Sequence, residues 1–284
     1  MAVRIVVDST VDVNPKIADK ISVVPMTVHF GDETYVQGVD ITNQQFYEKL
    51  IESDVMPTTS QATPFAFEEV FREITDAGDT AVVITLSSKL SGTCQSAAVA
   101  AAEFPGKIWV VDSDTVTIGS GILAEYALAM ADEGTDAAGI ARELELCKGR
   151  CHVLAMLDTL EYLKRGGRIS KATAFAGELL SIKPVVCVQE GQIQMLGKAR
   201  GSKQGNNLLV QEIQKAGGVD FDKPLLLGYT GLSDVLLTKY MEDSKALWEN
   251  GTDQLRTTLI GSVIGTHAGP GAVAVAFFSK NVTE

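Results

Sequence analysis

Several segments of this chain carry hydroxyl, imidazole and guanidinium groups at spacings that suit an anion. The sharpest is Ser87-Ser88-Lys89-Leu90-Ser91-Gly92-Thr93-Cys94-Gln95-Ser96-Ala97. It follows an apolar run and opens an Ala-rich helical pattern. Unpaired N–H groups and the positive end of the helix dipole gather at such a start. A phosphate or a carboxylate suits that place. So does the plainer role of Ser91 as a helix cap. A second polar run, Pro57-Thr58-Thr59-Ser60-Gln61-Ala62-Thr63-Pro64, also precedes a helical pattern and on its own reads as a capping loop. A third, Ile264-Gly265-Thr266-His267-Ala268-Gly269-Pro270-Gly271-Ala272, puts His267 in a Gly-Pro-Gly loop between two strands, where backbone can approach a ligand closely. The other two histidines, His29 and His152, fall on strand patterns and read as structural.

Two further segments are charged. Leu160 to Ser170 sets Lys164, Arg165 and Arg168 around Gly166-Gly167, a helix end followed by a sharp turn. Arginine suits planar recognition of carboxylate or phosphate, although alone this segment reads as a solvated basic turn. Asp8-Ser9-Thr10-Val11-Asp12 ends the first strand, where doubly wound sheets bind ligands. Helix capping by Asp8 or Ser9 is preferred there over a metal site.

The elements that must hold these residues follow from apolar periodicity. In the first half, Val3–Val7, Ser22–Val24, Thr27–Phe30, Ala81–Leu86 and Lys107–Val111 read as strands. Helical patterns start at Thr42-Asn43, at Pro64 and after Ser91-Gly92, and continue through Gly119–Glu133 and Asp136–Lys148. Strands alternating with helices imply βαβ units and a mostly parallel, doubly wound sheet. The second half differs. Glu190-Gly191 between Val185–Gln189 and Gln192–Leu196 is a hairpin signal. Strands at His152–Met156, Leu225–Tyr229, Thr257–Ile260 and Ala272–Phe278 join helices at Ser202–Lys215 and Ser233–Trp248 in a mixed sheet. The expected fold is therefore α/β in two domains, residues 1–150 and 151–284, with a crevice between them as the natural ligand site.

Composition removes several functions. The 284 residues, 45% hydrophobic and 21% charged, fit a folded globular chain. No apolar run approaches a membrane span, and Met1-Ala2-Val3-Arg4-Ile5 lacks a signal-peptide core. A cytoplasmic place is expected. A net charge of −12 argues against nucleic acid as a partner and against plain electrostatic binding to anionic membranes. Cys94, Cys147, Cys151 and Cys187 have no His or Cys cluster around them, so buried free thiols are expected and no metal. There is no Walker pattern and no dinucleotide glycine fingerprint, and Gly119-Ser120-Gly121 lacks the spacing of a nucleophile elbow.

Taken in order, the segments resemble the DegV family of fatty-acid-binding proteins, whose members include the lipid-carrying subunit of bacterial fatty acid kinase. The resemblance runs through Asp8-Ser9-Thr10-x-Asp12, Thr59-Ser60-Gln61, Ser87 to Ala97, Leu160 to Ile169, Ile182-Lys183-Pro184, Lys198-x-Arg200-Gly-x-Lys203 and Ile264 to Ala272, nearly the whole chain. It implies a buried acyl tunnel, no cofactor and no catalysis by this chain. By motif, Thr59, Ser91 and His267 fall on the carboxylate-binding positions. Ser60, Gly92 and Arg168 fall near the tunnel mouth. Arg200 and Lys203 fall on a motif that would dock the catalytic subunit of the kinase, which phosphorylates the carboxylate. Transient membrane contact is compatible with that role. The chain departs from the family pattern at Ala62, where Pro often follows Thr-Ser-Gln, and at Gln204, where a second lysine is common. Phe175, Leu179, Leu180, Ile182, Ile264 and Met156 are apolar enough to line a tunnel or simply to fill the core.

Two other readings use the same residues. Ser91 and His267 as nucleophile and base would make a lipid-ester hydrolase, which needs a third group, in space Asp8, Asp12 or Asp112, to orient the imidazole. A lipid-sensing regulator would share the carrier's structure and differ only in its partner.

Overall fold

The computed structural model describes residues 2–169 and 182–280. The first half contributes β1 (Val3–Asp8), β2 (Ile21–Val24), β3 (Thr27–Phe30), β4 (Glu33–Val36), β5 (Thr58–Ser60), β6 (Thr80–Thr85) and β7 (Ile108–Asp112). β2, β1, β6 and β7 lie in that order and pair parallel throughout. β6 is buried along its whole length, as a strand covered on both faces must be. β4, β3 and β5 form a small antiparallel sheet. Its Val28 and Phe30 share a core with Val6 and Val83 of the parallel sheet.

The helices of this half start where the sequence provides caps. α1 (Asn43–Glu52) begins with a reciprocal Thr42–Gln45 capping box, and α2 (Pro64–Asp76) is capped by Thr63. α3 (Thr93–Ala101), α4 (Ile118–Asp132) and α5 (Ala137–Cys147) complete the set. Thr58–Ser60 is thus a strand, and only Thr63 of that polar run caps a helix.

The second half contributes β8 (Cys151–Met156), β9 (Ile182–Gln189), β10 (Gln192–Arg200), β11 (Leu226–Tyr229), β12 (Thr257–Leu259) and β13 (Val273–Phe278). Their order is β10-β9-β8-β13-β11-β12. All neighbours pair antiparallel except β11 and β12, so the sheet is mixed. Between β8 and β9 stands α6 (Glu161–Arg165). Further helices span Gly201–Lys215, Val235–Asp243, Lys245–Trp248 and Ser262–Ala268. The expected single helix at Ser233–Trp248 breaks at Ser244. The Ser244 hydroxyl donates to Tyr240 O (2.5 Å) and accepts from Trp248 Nε1 (2.9 Å), competing with the helical ladder.

α4 joins the two sheets. Ile118, Ile122 and Leu123 share one core cluster with Ile5, Val7 and Ile84 of the first sheet and Val153, Ala276 and Phe278 of the second. Each such Val, Ile, Leu or Phe side chain stabilises by about 1.5–3 kcal/mol when buried. No Pro- or Ser-rich linker is needed where a helix spans the joint.

Two expectations are corrected here. His267 sits on the last turn of the helix Ser262–Ala268, and only Gly269-Pro270-Gly271 forms the loop. Asp8 and Ser9 cap no helix. Asp8 accepts from the N–H (2.9 Å) and hydroxyl (2.5 Å) of Thr10 and from Leu86 N–H (2.8 Å), while Ser9 Oγ accepts from Met26 N–H (2.9 Å).

Candidate functional site

The loop from β6 to α3 carries Ser91. It is tied down from beneath. Leu86 N–H donates to the fully buried Asp8 carboxylate, and Ser87 N–H donates to Thr115 O (2.8 Å). Burial pushes the Asp8 carboxyl up from its ordinary pKa, against the hydrogen bonds that favour its ionised form. Ser91 stands half-buried just ahead of α3. Its Oγ accepts from Thr93 N–H (3.3 Å) and shares a 2.9 Å hydrogen bond with Thr93 Oγ1.

β5 brings Thr59 to the same place, through its backbone pairing with Val28 of β3. Thr59 is half-buried and Ser60 exposed. The Gln61 amide donates to Ser96 Oγ on α3 (3.0 Å). A Cβ on Gly92 would stand 2.1 Å from Gln61 Oε1, so any larger residue there would push the Gln61 amide from its present position.

His267 arrives from the second half. Its Nε2 shares a 3.0 Å hydrogen bond with Thr59 Oγ1. Its Nδ1 is enclosed and has no hydrogen-bond partner among the described residues. A Cβ on Gly166 would lie 2.2 Å from that Nδ1, which accounts for the first glycine of the Gly-Gly pair. The second, Gly167, makes the turn with φ +70°. Burial, with a smaller push from the Arg168 guanidinium, lowers the His267 pKa to about 4. The imidazole is therefore neutral at pH 7, and among the described residues no carboxylate stands at Nδ1. A Ser91–His267 nucleophile–base pair is not assembled in this arrangement, because each group bonds elsewhere.

Arg168 is exposed. It donates from Nε to Leu90 O (3.2 Å) and from Nη1 to Gly166 O (2.7 Å), linking the basic turn to the Ser91 loop. Thr59, Ser60, Gln61, Ser91 and Gly92 line a polar pocket together with Met26, Leu86, Leu90 and Arg168. Behind it lies an apolar cavity with about 770 Å³ of empty space, its open mouth included. Leu86, Leu90 and Arg168 line both, so the polar pocket adjoins the cavity. Val153, Val186, Ile193 and Ile260 wall it, and His267 stands at its edge.

Of the apolar residues proposed for such a wall, Ile264 is there. Met156 is instead a core residue of the second half, and Phe175, Leu179 and Leu180 lie outside the described residues, as do Ser170 and Lys171 of the basic turn. Cys147 and Cys151 are buried free thiols, whereas Cys94 and Cys187 are only half-buried and Cys187 lines the cavity. Met26, Leu86 and Leu90 are lining residues that the sequence did not suggest.

Arg200 and Lys203 are exposed and line neither space. They mark the junction of β10 with the helix Gly201–Lys215, roughly 25 Å along the strand from the hairpin turn at Glu190-Gly191. Arg200 N–H donates to Gln204 Oε1 (2.9 Å), an acceptor that a second lysine at 204 would not offer.

With this geometry in place, comparison with known proteins is decisive. Residues 2–280 match a family model described as "Uncharacterised protein, DegV family". The chain belongs to the DegV family. It is 34% identical to a DegV domain-containing protein of Caldanaerobacter subterraneus, over 98% of this chain and 99% of that relative. It is 32% identical to another from Deinococcus radiodurans, over 97% and 98%. Among solved structures, it is similar to a fatty-acid-binding DegV family protein from Thermus thermophilus (TM-score 0.87, 32% identity, 98% and 100% covered). It is also similar to a stearic-acid-binding protein from Eubacterium ventriosum (TM-score 0.86, 26%, 99% and 99%) and to DegV, a fatty acid binding protein from Bacillus subtilis (TM-score 0.81, 29%, 99% and 100%). No helix among the described residues is long and apolar enough to cross a membrane.

Proposed function

We propose that this DegV protein binds one long-chain fatty acid and presents its carboxylate to a separate kinase, doing no chemistry itself. The observation that carries this reading is an apolar cavity set against a small pocket of hydroxyls, with Leu86, Leu90 and Arg168 lining both. The tail supplies affinity. At about 0.8 kcal/mol per buried CH₂, a sixteen-carbon chain contributes roughly 10 kcal/mol gross before ordering costs.

The head must be satisfied by hydrogen bonds, because a buried unpaired charge costs several kcal/mol or more. Thr59 and Ser91 are the donors. A neutral His267 serves best with its proton on Nε2, donating to Thr59 Oγ1. That leaves the Thr59 proton for the carboxylate. Ser60, Gly92 and Arg168 border the head. Residues 1–150 then supply the hydroxyls, and residues 151–284 supply the imidazole and most of the tail wall. The exposed Arg200 and Lys203 are assigned to docking the kinase subunit, which transfers a phosphoryl group to a carboxylate oxygen.

Mass spectrometry of an organic extract of untreated protein tests the reading. Near-stoichiometric free fatty acid, absent after delipidation, is the expected result. An empty protein that also takes up no labelled fatty acid would overturn it.

A further inference from the structure

The helix that carries His267 belongs to the second half in sequence, yet side chains of the first half hold its starting segment. Tyr47 Oη donates to Ile260 O (2.9 Å). Gly261 N–H donates to Asp12 Oδ1 (2.8 Å). Val263 N–H, one of the donors a helix start leaves without a partner in the helix, donates to Gln37 Oε1 (3.0 Å). The other ends of these side chains are anchored too. Gln37 Nε2 donates to Ser9 O (2.6 Å), and Asp12 Oδ2 accepts from Thr117 Oγ1 (2.6 Å). The fit leaves no slack. A Cβ on Gly261 would lie 2.3 Å from Gln37 Nε2, and a Cβ on Gly265 would lie 2.5 Å from Tyr47 Oη.

We infer that Asp12, Gln37 and Tyr47 are positioning residues, a clamp from the first half that fixes the helix Ser262–Ala268 so that His267 stays within hydrogen-bond reach of Thr59. Its bearing on ligand binding rests on the proposed carboxylate site. The seven-residue helix contains Gly265 and is too short to be stable by itself. Without the clamp its only tie of this kind to the polar pocket among the described residues is the Thr59–His267 bond. Asp12 is buried with no cation beside it among the described residues, and burial pushes its carboxyl to about 7. Such a carboxylate is tolerated because Thr117 and Gly261 bond it, and Thr117 itself lines the apolar cavity.

The test is a proton NMR titration of the imidazoles in the unliganded protein. In the wild type His267 titrates well below an ordinary histidine. In Asp12→Ala and in Gln37→Ala the helix loosens, and the His267 midpoint moves by one unit or more toward 6.5. Asp12→Asn, which keeps an acceptor for Gly261 N–H, retains the low midpoint. His152, half-buried and stacked on Phe277 in the second sheet, is the internal control. If His267 titrates as in the wild type in both alanine variants, or if His152 moves with it, the clamp is overturned. Binding of palmitic acid and its methyl ester is measured on the same proteins. A wild type that does not distinguish them refutes the carboxylate reading, while the His267 shift still decides the clamp.

Discussion

Thr59 and His267 are 208 positions apart in the chain, and their side chains share a 3.0 Å hydrogen bond across the junction of the two halves. Each is delivered by an element with little stability of its own, a three-residue strand and a seven-residue helix. The bond therefore depends on how the halves are packed. It also gives the neutral imidazole a use in the proposed carboxylate site, since the ring can orient the Thr59 hydroxyl without adding charge.

Thr59→Val and Ser91→Ala should each weaken binding of a free fatty acid. Each variant loses one hydrogen bond to a charged acceptor, about 1.5–3 kcal/mol or roughly 10- to 150-fold in affinity. The methyl ester of the same chain should be far less affected. Fluorescence displacement with both ligands checks this. Equal losses for acid and ester would place the defect in the tail cavity.

His267 carries a pH signature. Its pKa is about 4 in the folded chain against an ordinary 6.5, because burial and Arg168 disfavour the imidazolium. Between those values the unfolded chain binds the extra proton. The contribution of His267 to stability is thus complete above about pH 6.5 and is lost progressively as pH falls toward 4. His267→Asn should lose less stability than the wild type between pH 7 and 4.5, by a few kcal/mol at most. Urea midpoints at several pH values measure it. Parallel curves for the two proteins would mean that His267 is already solvated.

The strands that carry the cores were legible because their residues are apolar and contiguous. Val3–Asp8 and Thr80–Thr85 could hardly be anything else in a chain alternating with helices. β4 and β5 were not. Glu33–Val36 and Thr58–Ser60 are short and polar, and they become strands through backbone pairing with β3, which leaves no period in their side chains. The helix around His267 was missed for a related reason. Gly265 and Gly269 read as loop, and what makes the segment helical is the contact with Tyr47, Gln37 and Asp12. Of the polar half of the candidate site, Ser91 and His267 stand out by residue type and position, whereas Thr59 and Arg168 enter only through the family resemblance, because a hydroxyl or a cation at a loop end reads equally as a cap or a solvated turn. Met26 and Leu90 were not visible, because an apolar residue beside a cavity has the same type as one in the core.

Gly191→Ala should loosen the cavity wall. Gly191 turns the β9–β10 hairpin with φ +74°, and a Cβ there would lie 2.3 Å from Ser87 Oγ. That hydroxyl donates to Gly191 O (2.8 Å) and docks the hairpin on the Ser91 loop. Strain at a positive φ costs roughly 1–2 kcal/mol, and the lost contact should loosen the hairpin that carries Val188 and Ile193, which line the cavity together with Leu90. Transfer of labelled fatty acid from protein to vesicles should speed up severalfold. An unchanged transfer rate in a folded variant would show that the chain leaves by another route.

Arg200→Ala separates carrying from presenting. Arg200 is exposed and lines neither the polar pocket nor the cavity, so lipid content after purification should equal that of the wild type. Its backbone N–H, bonded to Gln204, survives the change, so the start of the helix Gly201–Lys215 should be preserved. With a fatty acid kinase catalytic subunit, acyl-phosphate formation should fall at least tenfold through weaker association, and saturating carrier should recover much of it. Glu in place of Arg200 should be worse than Ala if charge is what the partner reads. Full turnover by both variants would remove this surface from the docking assignment, and loss of bound lipid would tie Arg200 to the fold of the second half instead.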